Sequence, residues 1–322
     1  MQKATTYIGI DISKDTFDVA IPKGESFDSF QLPNDSLGFE SLLATLPAGC
    51  CCVMEATGAY YCALAVFLHG HQRQVSVVNP LSVSHFARML LRRAKTDKAD
   101  ARLLSQFGAQ QQPAPWRPLP VHLTALRQEL AVLEQLNKQR LALSNQRKSL
   151  ALVPQHSQRA LQVIGAQVES LDGAIGKLEG DMQQSMKDNY PGLFQLLQSI
   201  PGIGPKTALV LVAVTQGFTA FDNFKQLVAY VGLAPRHYQS GKSVRGKAAI
   251  CKMGMRQVRC LLYMCAQTAL KSNPVCKALF ERLRQKGKPF KLAKIAVAAK
   301  LLKQAFAIAK SGLAFQPDYT AK

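Results

Sequence analysis

The sequence contains no uninterrupted apolar run of bilayer-spanning length, and it opens directly on a strand pattern with no signal-like segment before it. A membrane protein is therefore not expected, and a cytoplasmic one is. The eight cysteines show no metal-ligand spacing. Cys50, Cys51 and Cys52 are adjacent and would alternate faces of a strand, and the others are scattered, so they read as reduced, small apolar residues. Acidic residues are nearly missing from the last third. Residues 1–115 hold ten Lys/Arg and ten Asp/Glu, residues 116–190 nine and seven, and residues 191–322 twenty-one and three. Nearly all of the net charge of +20 thus sits in the last segment. A polyanion is its natural partner, through phosphate neutralisation and counterion release. The segment is not one basic amphipathic helix, which places nucleic acid ahead of an anionic membrane.

What is present is a chain of 322 residues, 48% hydrophobic, with room for two or three domains. The first hundred residues alternate strand and helix signals. Tyr7–Ile12 and Thr16–Ile21 read as a hairpin, and Ser26–Leu32 can add a third strand. A helix is expected over Leu37–Leu46, a short buried strand over residues 51–56, a helix over Tyr60–His69, a strand over residues 74–79 and a helix over Val83–Leu91. This is an α/β layer pattern. "QQQPAPWRPLP" (110–120) is a Pro-rich connector. Beyond it, Leu123, Leu126, Leu130 and Leu133 recur at three- and four-residue steps, and Leu136, Leu143 and Leu150 continue at seven, as in a coiled coil. Pro154 breaks this helix and a second, weaker one runs over about 157–188, so an antiparallel helical pair is expected, serving as spacer or dimerisation arm. "NYPG" (189–192) marks the next boundary.

Four acids stand out. Asp11 ends the strand in "YIGIDISKDTFDVAI", where a buried, unpaired carboxylate costs several kcal/mol or takes up a proton. Its plainer role is to begin the Ser13-Lys14-Asp15 turn. Glu55 ends the apolar "CCVM" run. Asp97 and Asp100 lie on one face of a helix that Thr96 would cap, a position where acids are also favoured for the helix dipole alone. Two carboxylates from strand ends and two from one helix face make a hard-oxygen set suited to one or two magnesium ions. Such ions assist in-line phosphoryl transfer.

The basic segment carries two further motifs. "SIPGIGPKTALVLVA" (199–213) has the pattern of a helix-hairpin-helix, in which Gly202 and Gly204 let backbone N–H groups approach a phosphate and Lys206 and Thr207 follow at the helix start. A tight turn between two packed helices is the plainer account. "GLAPRHYQSGKSVRGKAAICKMGMRQVR" (232–259) places Ser240 among Arg236, Lys242, Arg245 and Lys247, with Arg256 and Arg259 on one face of the following helix. Ser240 has cations around it to hold developing charge but no local base, so the loop reads either as a phosphate-binding turn or as a nucleophile site. Ser243 and Tyr238 compete as nucleophiles. In "ERLRQKGKPFKLAKIAVAAKLLKQAF" (281–306), Ile295, Ala298, Ala299 and Leu302 read as core and the lysines as a solvated face that also meets phosphates.

Taken in order, "GIDISKDTFDVAI", "VMEATGAYY", "VVNPLSVSHFAR", "AKTDKADARLLSQF", "IPGIGPKTA" and "VGLAPRHYQSGKSVRGK" resemble the insertion-sequence transposases of the 110 type, including the Piv DNA invertases. The resemblance covers essentially the whole chain. It implies an N-terminal RuvC-like (ribonuclease H-fold) α/β domain and a C-terminal, mostly α serine transposase domain; with the two breaks read above, these are expected over 1–112 and 191–322, either side of a linker and antiparallel coiled-coil arm over 113–190. It matches Asp11, Glu55, Asp97 and Asp100 to metal-binding acids and Ser240 to a serine that becomes linked to a DNA phosphate. It further implies donor and target DNA, a structured guide RNA from the same element, and a bacterial, nucleoid-associated location; the helical arm and the need to hold two DNA duplexes lead to the expectation of a homodimer or tetramer. The family pattern GxxxLR appears as Gly254-Met255-Arg256-Gln257-Val258-Arg259, with Val in place of Leu. On this reading, metal on the four acids and Ser240 make up one composite site.

Other classes make different demands. A RuvC-like nuclease using water needs the acids but not Ser240. A non-enzymatic nucleic-acid binder needs only the last third. An actin-like sugar kinase, whose opening strand "GIDIS" resembles, needs glycine-rich phosphate loops that the sequence lacks.

Overall fold

The computed structural model describes residues 5–91, 96–236, 239–240, 244–245 and 249–317, with the backbone alone at 239–240 and 244–245. The chain divides into two compact units, Met1–Leu119 and Pro120–Lys322.

In the first unit, β1 (Tyr7–Ile12), β2 (Thr16–Lys23) and β3 (Ser26–Pro33) form an antiparallel meander. β4 (Cys51–Glu55) and β5 (Gln74–Val78) extend the sheet in parallel from β1, giving the order β3-β2-β1-β4-β5. Between and after them lie α1 (Ser36–Thr45), α2 (Tyr61–Gly70), α3 (Pro80–Met89) and α4 (Asp97–Gln111). Period-two alternation sorts the strand residues into two cores. Ile8, Ile10, Phe17, Val19, Cys52 and Met54 pack with α1 and α2 on one face. Cys51 and Val53 pack with Phe86, Leu103, Leu104 and Phe107 of α3 and α4 on the other. The adjacent cysteines do alternate faces. The sheet is buried on both sides, so its parallel strands read as unbroken apolar runs.

Glycine sets how closely α4 lies on the sheet. A Cβ on Gly9 would collide with the Ala101 carbonyl, and one on Gly108 would stand 2.7 Å from Val53 Cγ2. Backbone therefore meets backbone at the β1–α4 crossing. The Pro-rich connector is tied to the same unit: Trp116 N donates to Val75 O at 2.7 Å, and the indole packs on the α1–α2 core.

The second unit opens with two long helices, α5 (Val121–Ala151) and α6 (Gln158–Asn189). They run antiparallel, since Arg140 pairs with Asp172 and Arg147 lies beside Gly165, positions that step in opposite directions along the two helices. Only Leu123, Leu126, Leu130 and Leu133 of α5 are buried, whereas Leu136, Leu143 and Leu150 are half-buried. Then follow α7 (Pro191–Gln198), α8 (Pro205–Thr215), α9 (Phe224–Val231), four short strands β6 (Pro235–Arg236), β7 (Gln239–Ser240), β8 (Val244–Arg245) and β9 (Ala249–Ile250), and α10 (Arg256–Ser272), α11 (Pro274–Gln285) and α12 (Phe290–Ser311). Helix α8 is buried at every position from Thr207 to Thr215. The core stripe of α12 runs through Ala293, Val297, Leu301 and Ala305, joined by Ala298 and Leu302. Ile295 and Ala299, expected in that stripe, are only half-buried. Where three segments, 1–112, 113–190 and 191–322, are expected from the sequence, packing groups the helical pair with the C-terminal helices.

Candidate active site

The four acids line one cleft of about 550 Å³ in the first unit. Topology brings them there. β1 and β4 are parallel neighbours with Ile10 opposite Met54, so Asp11 and Glu55 leave adjacent strand ends. Ligand sites in open α/β sheets sit at this carboxyl edge. Asp11 shares the face of Gly9, the face that meets α4. Since Ala101 stands over Gly9, the first turn of α4, with Asp97 and Asp100, comes over Asp11. Thr96 caps that turn by accepting a hydrogen bond from Ala99 N at 3.3 Å, so the capping role and the site role coexist. Thr57 Oγ1 donates to Glu55 Oε1 at 2.7 Å and steers that carboxylate.

A fifth carboxylate, not expected from the sequence, joins the four. Asp18 lies directly opposite Asp11 in the β1–β2 ladder, is 4% exposed, lines the same cleft and accepts from Gln31 Nε2 at 2.9 Å. The hairpin register held the signal: a turn at Ser13–Asp15 pairs Ile12 with Phe17, and hence Asp11 with Asp18.

Electrostatics of the cleft concentrate on Asp11. Burial, and then the charges of Asp100, Asp97, Glu55 and Asp18, push its pKa up from 3.8 to about 6. An all-oxygen donor set with this excess of negative charge fits a hard divalent cation. No three of these groups converge at ligating separation among the described residues. The fit is therefore one of donor chemistry and location.

The serine loop is a nested hairpin. β6 pairs with β9 and, inside it, β7 pairs with β8, placing the backbone of Ser240 opposite Val244. The base is closed by Cys251 N to Ala234 O at 2.8 Å and Lys252 N to Gly232 O at 3.2 Å. Gly232 (φ 79°) and Gly254 (φ 129°) make that closure possible. A Cβ on Gly254 would collide with the Tyr230 carbonyl, and one on Gly232 would stand 2.5 Å from Met253 O. Arg259 Nη1 donates to Val231 O at 2.8 Å and holds the last carbonyl of α9 beside this crossing. Arg259, expected on nucleic acid, is thus committed at least in part to the hairpin base. Arg236 and Arg256 are exposed. Tyr238, Lys242, Ser243 and Lys247 lie outside the described residues, as do the side chains of Ser240 and Arg245.

The α7–α8 corner sorts its own residues. Gly202 (φ 104°) is required by packing, because a Cβ there would stand 2.8 Å from that of Ala269. Gly204 is exposed with nothing near its Cβ position, and it begins α8 without a side-chain cap. Lys206 is exposed and pairs with Glu179 at 3.0 Å. Thr207 departs from expectation: it is 6% exposed and its hydroxyl lies 3.2 Å from Cys265 Sγ. The buried body of α8, Thr207–Thr215, turns that hydroxyl inward, so it is not presented to a phosphate.

Residues 8–153 match a transposase domain model of the DEDD, IS110 type, and residues 194–281 match that of the transposase IS116/IS110/IS902 family. Among known proteins, the chain is 33% identical to the pilin gene-inverting protein of Moraxella lacunata, over 96% of this chain and 97% of that one. It is 25% identical to the transposase for insertion sequence element IS1111A of Coxiella burnetii, over 85% and 83% of the two chains. A similar match, 25% identical over 81% and 83%, joins it to the transposase for insertion sequence element IS1328 of Yersinia enterocolitica. The DEDD domain implies use of a divalent metal, and the cleft carboxylates supply matching chemistry. An α/β sheet with four carboxylates in one cleft, a basic helical unit and these two domain matches place the chain in the IS116/IS110/IS902 family of transposases and DNA invertases, enzymes that act on DNA.

Proposed function

We propose that this protein cuts, exchanges and religates DNA strands through a serine-linked intermediate at Ser240, with Asp11, Glu55, Asp97 and Asp100 holding Mg²⁺. The observation that carries this reading is the convergence of the four acids on one cleft, in a domain matched by a DEDD transposase model. The strand order β3-β2-β1-β4-β5 supports a RuvC-like fold for that domain.

The chemistry balances at each step. The Ser240 hydroxyl attacks a backbone phosphorus, one P–O ester bond forms as another breaks, and the departing DNA oxygen takes up a proton. Attack by a second strand's hydroxyl reverses the exchange, so bond energy is conserved without ATP. When bound, a divalent cation supplies Lewis-acid stabilisation of charge on the phosphate oxygens. The chain's own acids orient and neutralise around it, and Thr57 holds Glu55 in place. The acids belong to one compact unit and Ser240 to the other, so the reaction calls on both. Gly204 and Lys206 at the open start of α8, with Arg236, Lys242, Arg245, Lys247 and Arg256, are assigned to phosphate contact. A structured RNA from the same element and a homodimer or tetramer complete the assembly, with the α5–α6 pair as the joining arm.

The test is a denaturing gel. The protein, with copurifying RNA and magnesium, is incubated with labelled DNA spanning its element's junction. A protein–DNA band, lost in Ser240→Ala and in Asp11→Asn, is expected. Cleaved DNA free of protein would replace this reading with a nuclease that uses water.

A further inference from the structure

We propose that the corner between α11 and α12 is a docking ridge for the phosphate backbone of duplex DNA, built from residues other than those of the serine hairpin and the α7–α8 corner. It rests on the family's action on DNA, not on the serine mechanism.

The charge is concentrated there. Residues 271–310 hold eleven lysines and arginines and a single acid, Glu281. The matched transposase domain ends at residue 281, where the ridge begins, so the domain match does not account for it. The ion pairs of the described residues, Lys138–Glu134, Arg140–Asp172 and Lys206–Glu179, all lie elsewhere. Arg282, Lys286, Lys288 and Lys291 are exposed.

Contacts across the turn hold its backbone together. The rings of Phe280 and Phe290 meet edge to face at 5.3 Å across the turn. Arg284 Nη1 donates to Lys288 O at 2.7 Å, and Lys288 N to Leu283 O at 3.0 Å. Gly287, at φ 70°, makes the tight reversal.

The placement of the cations argues for an anion rather than for solvation alone. A helix N-terminus carries partial positive charge and favours acids. The N-terminus of α12 has no acid in its first turn and no side-chain cap, yet Lys288 precedes it and Lys291 lies within it. Lys294, one turn on, is 5% exposed, with Nζ 4.0 Å from the Tyr263 ring centroid and no ion-pair partner among the described residues. This accumulation opposes itself in the free protein, and phosphates reverse the sign. Duplex DNA is the polyanion on which the family acts.

The test uses the full chain carrying Arg282→Gln, Lys286→Gln, Lys288→Gln and Lys291→Gln together. Binding of a labelled random-sequence DNA duplex is measured across a salt series. Every phosphate that the variant no longer neutralises lowers the steepness of log K against log salt by about 0.9. A drop of about two to four, with affinity at low salt down at least about tenfold, is expected. A matched quadruple on the helical arm, Arg147→Gln, Lys148→Gln, Arg159→Gln and Lys177→Gln, removes the same net charge and is expected to change far less. The pair Lys286→Gln and Lys288→Gln, confined to the turn, gives an intermediate drop and guards against misfolding of the larger variant. An unchanged slope, an equal effect of both quadruples, or loss of binding to structured RNA with duplex DNA binding kept would each overturn the proposal. Strand cleavage is not read, so failure of the serine mechanism leaves this test intact.

Discussion

Replacing Asp11 with Asn should make the metal-free protein more stable, and only above a particular pH. Burial and the carboxylates of Asp100, Asp97, Glu55 and Asp18 raise the Asp11 pKa from 3.8 to about 6. Folding therefore favours the protonated acid. Between pH 4 and 6 the folded state binds more protons than the unfolded state, so stability falls as pH rises through that window and stays low above it. Two pKa units at ~1.36 kcal/mol each set a ceiling of about 3 kcal/mol. The carboxyl is partly open to the cleft, and solvent screening reduces the expected gain to about 1–2 kcal/mol. Asn resembles the protonated acid in shape, so the variant should match the wild type at pH 4 and exceed it at pH 7.5. The chain has one tryptophan, Trp116, packed on the core of the first unit, so its fluorescence during urea unfolding in EDTA reports that unit. The midpoint should rise for Asp11→Asn at pH 7.5 with an unchanged slope. Magnesium should stabilise the wild type and have less effect on the variant. An equal shift at pH 4 and 7.5, or a loss at both, would refute the idea that crowded negative charge, and not side-chain packing, governs this position.

Two contrasts test the second unit. Gly202→Ala places a methyl 2.8 Å from the Ala269 Cβ at φ 104° and should destabilise by about 1–3 kcal/mol in thermal melts, whereas Gly204→Ala, with nothing within 4 Å, should leave the melt unchanged and at most weaken DNA binding. Arg259→Gln should expose the serine hairpin to trypsin, because the guanidinium holds Val231 O at its base. If Arg259 instead serves DNA, proteolysis will be unchanged and the salt slope of DNA binding will fall by about one.

The first unit was largely legible because its signals are local. Alternation in "YIGIDI" and "CCVME" located two strands and, through period two, the faces of Asp11 and Glu55. Thr96 announced the start of α4, and with it the turn that carries Asp97 and Asp100. The helical pair was read from its leucine spacing, but not where its burial stops: Leu133 is covered and Leu143 is only half-covered. In α8 the sequence pattern does not separate a hydroxyl at a helix start that faces a ligand from one that faces the core. Thr207 takes the second course because neighbouring helices enclose α8 on every side.

By itself, then, the sequence determined the strand and helix periods, the carboxylates at strand ends, the Pro and Gly breaks, and the segregation of positive charge into the last third. These depend on residues within a few positions of one another or on simple sums. Tertiary structure alone decided that Gly9 would admit α4 against the sheet and bring Asp97 and Asp100 over Asp11, nearly ninety residues away along the chain. It likewise decided that Arg259 would clasp Val231 and that Phe280 and Phe290 would meet across the α11–α12 turn. Each depends on where separate elements cross. Crossings are set by close packing among side chains distant in sequence, which no local pattern records.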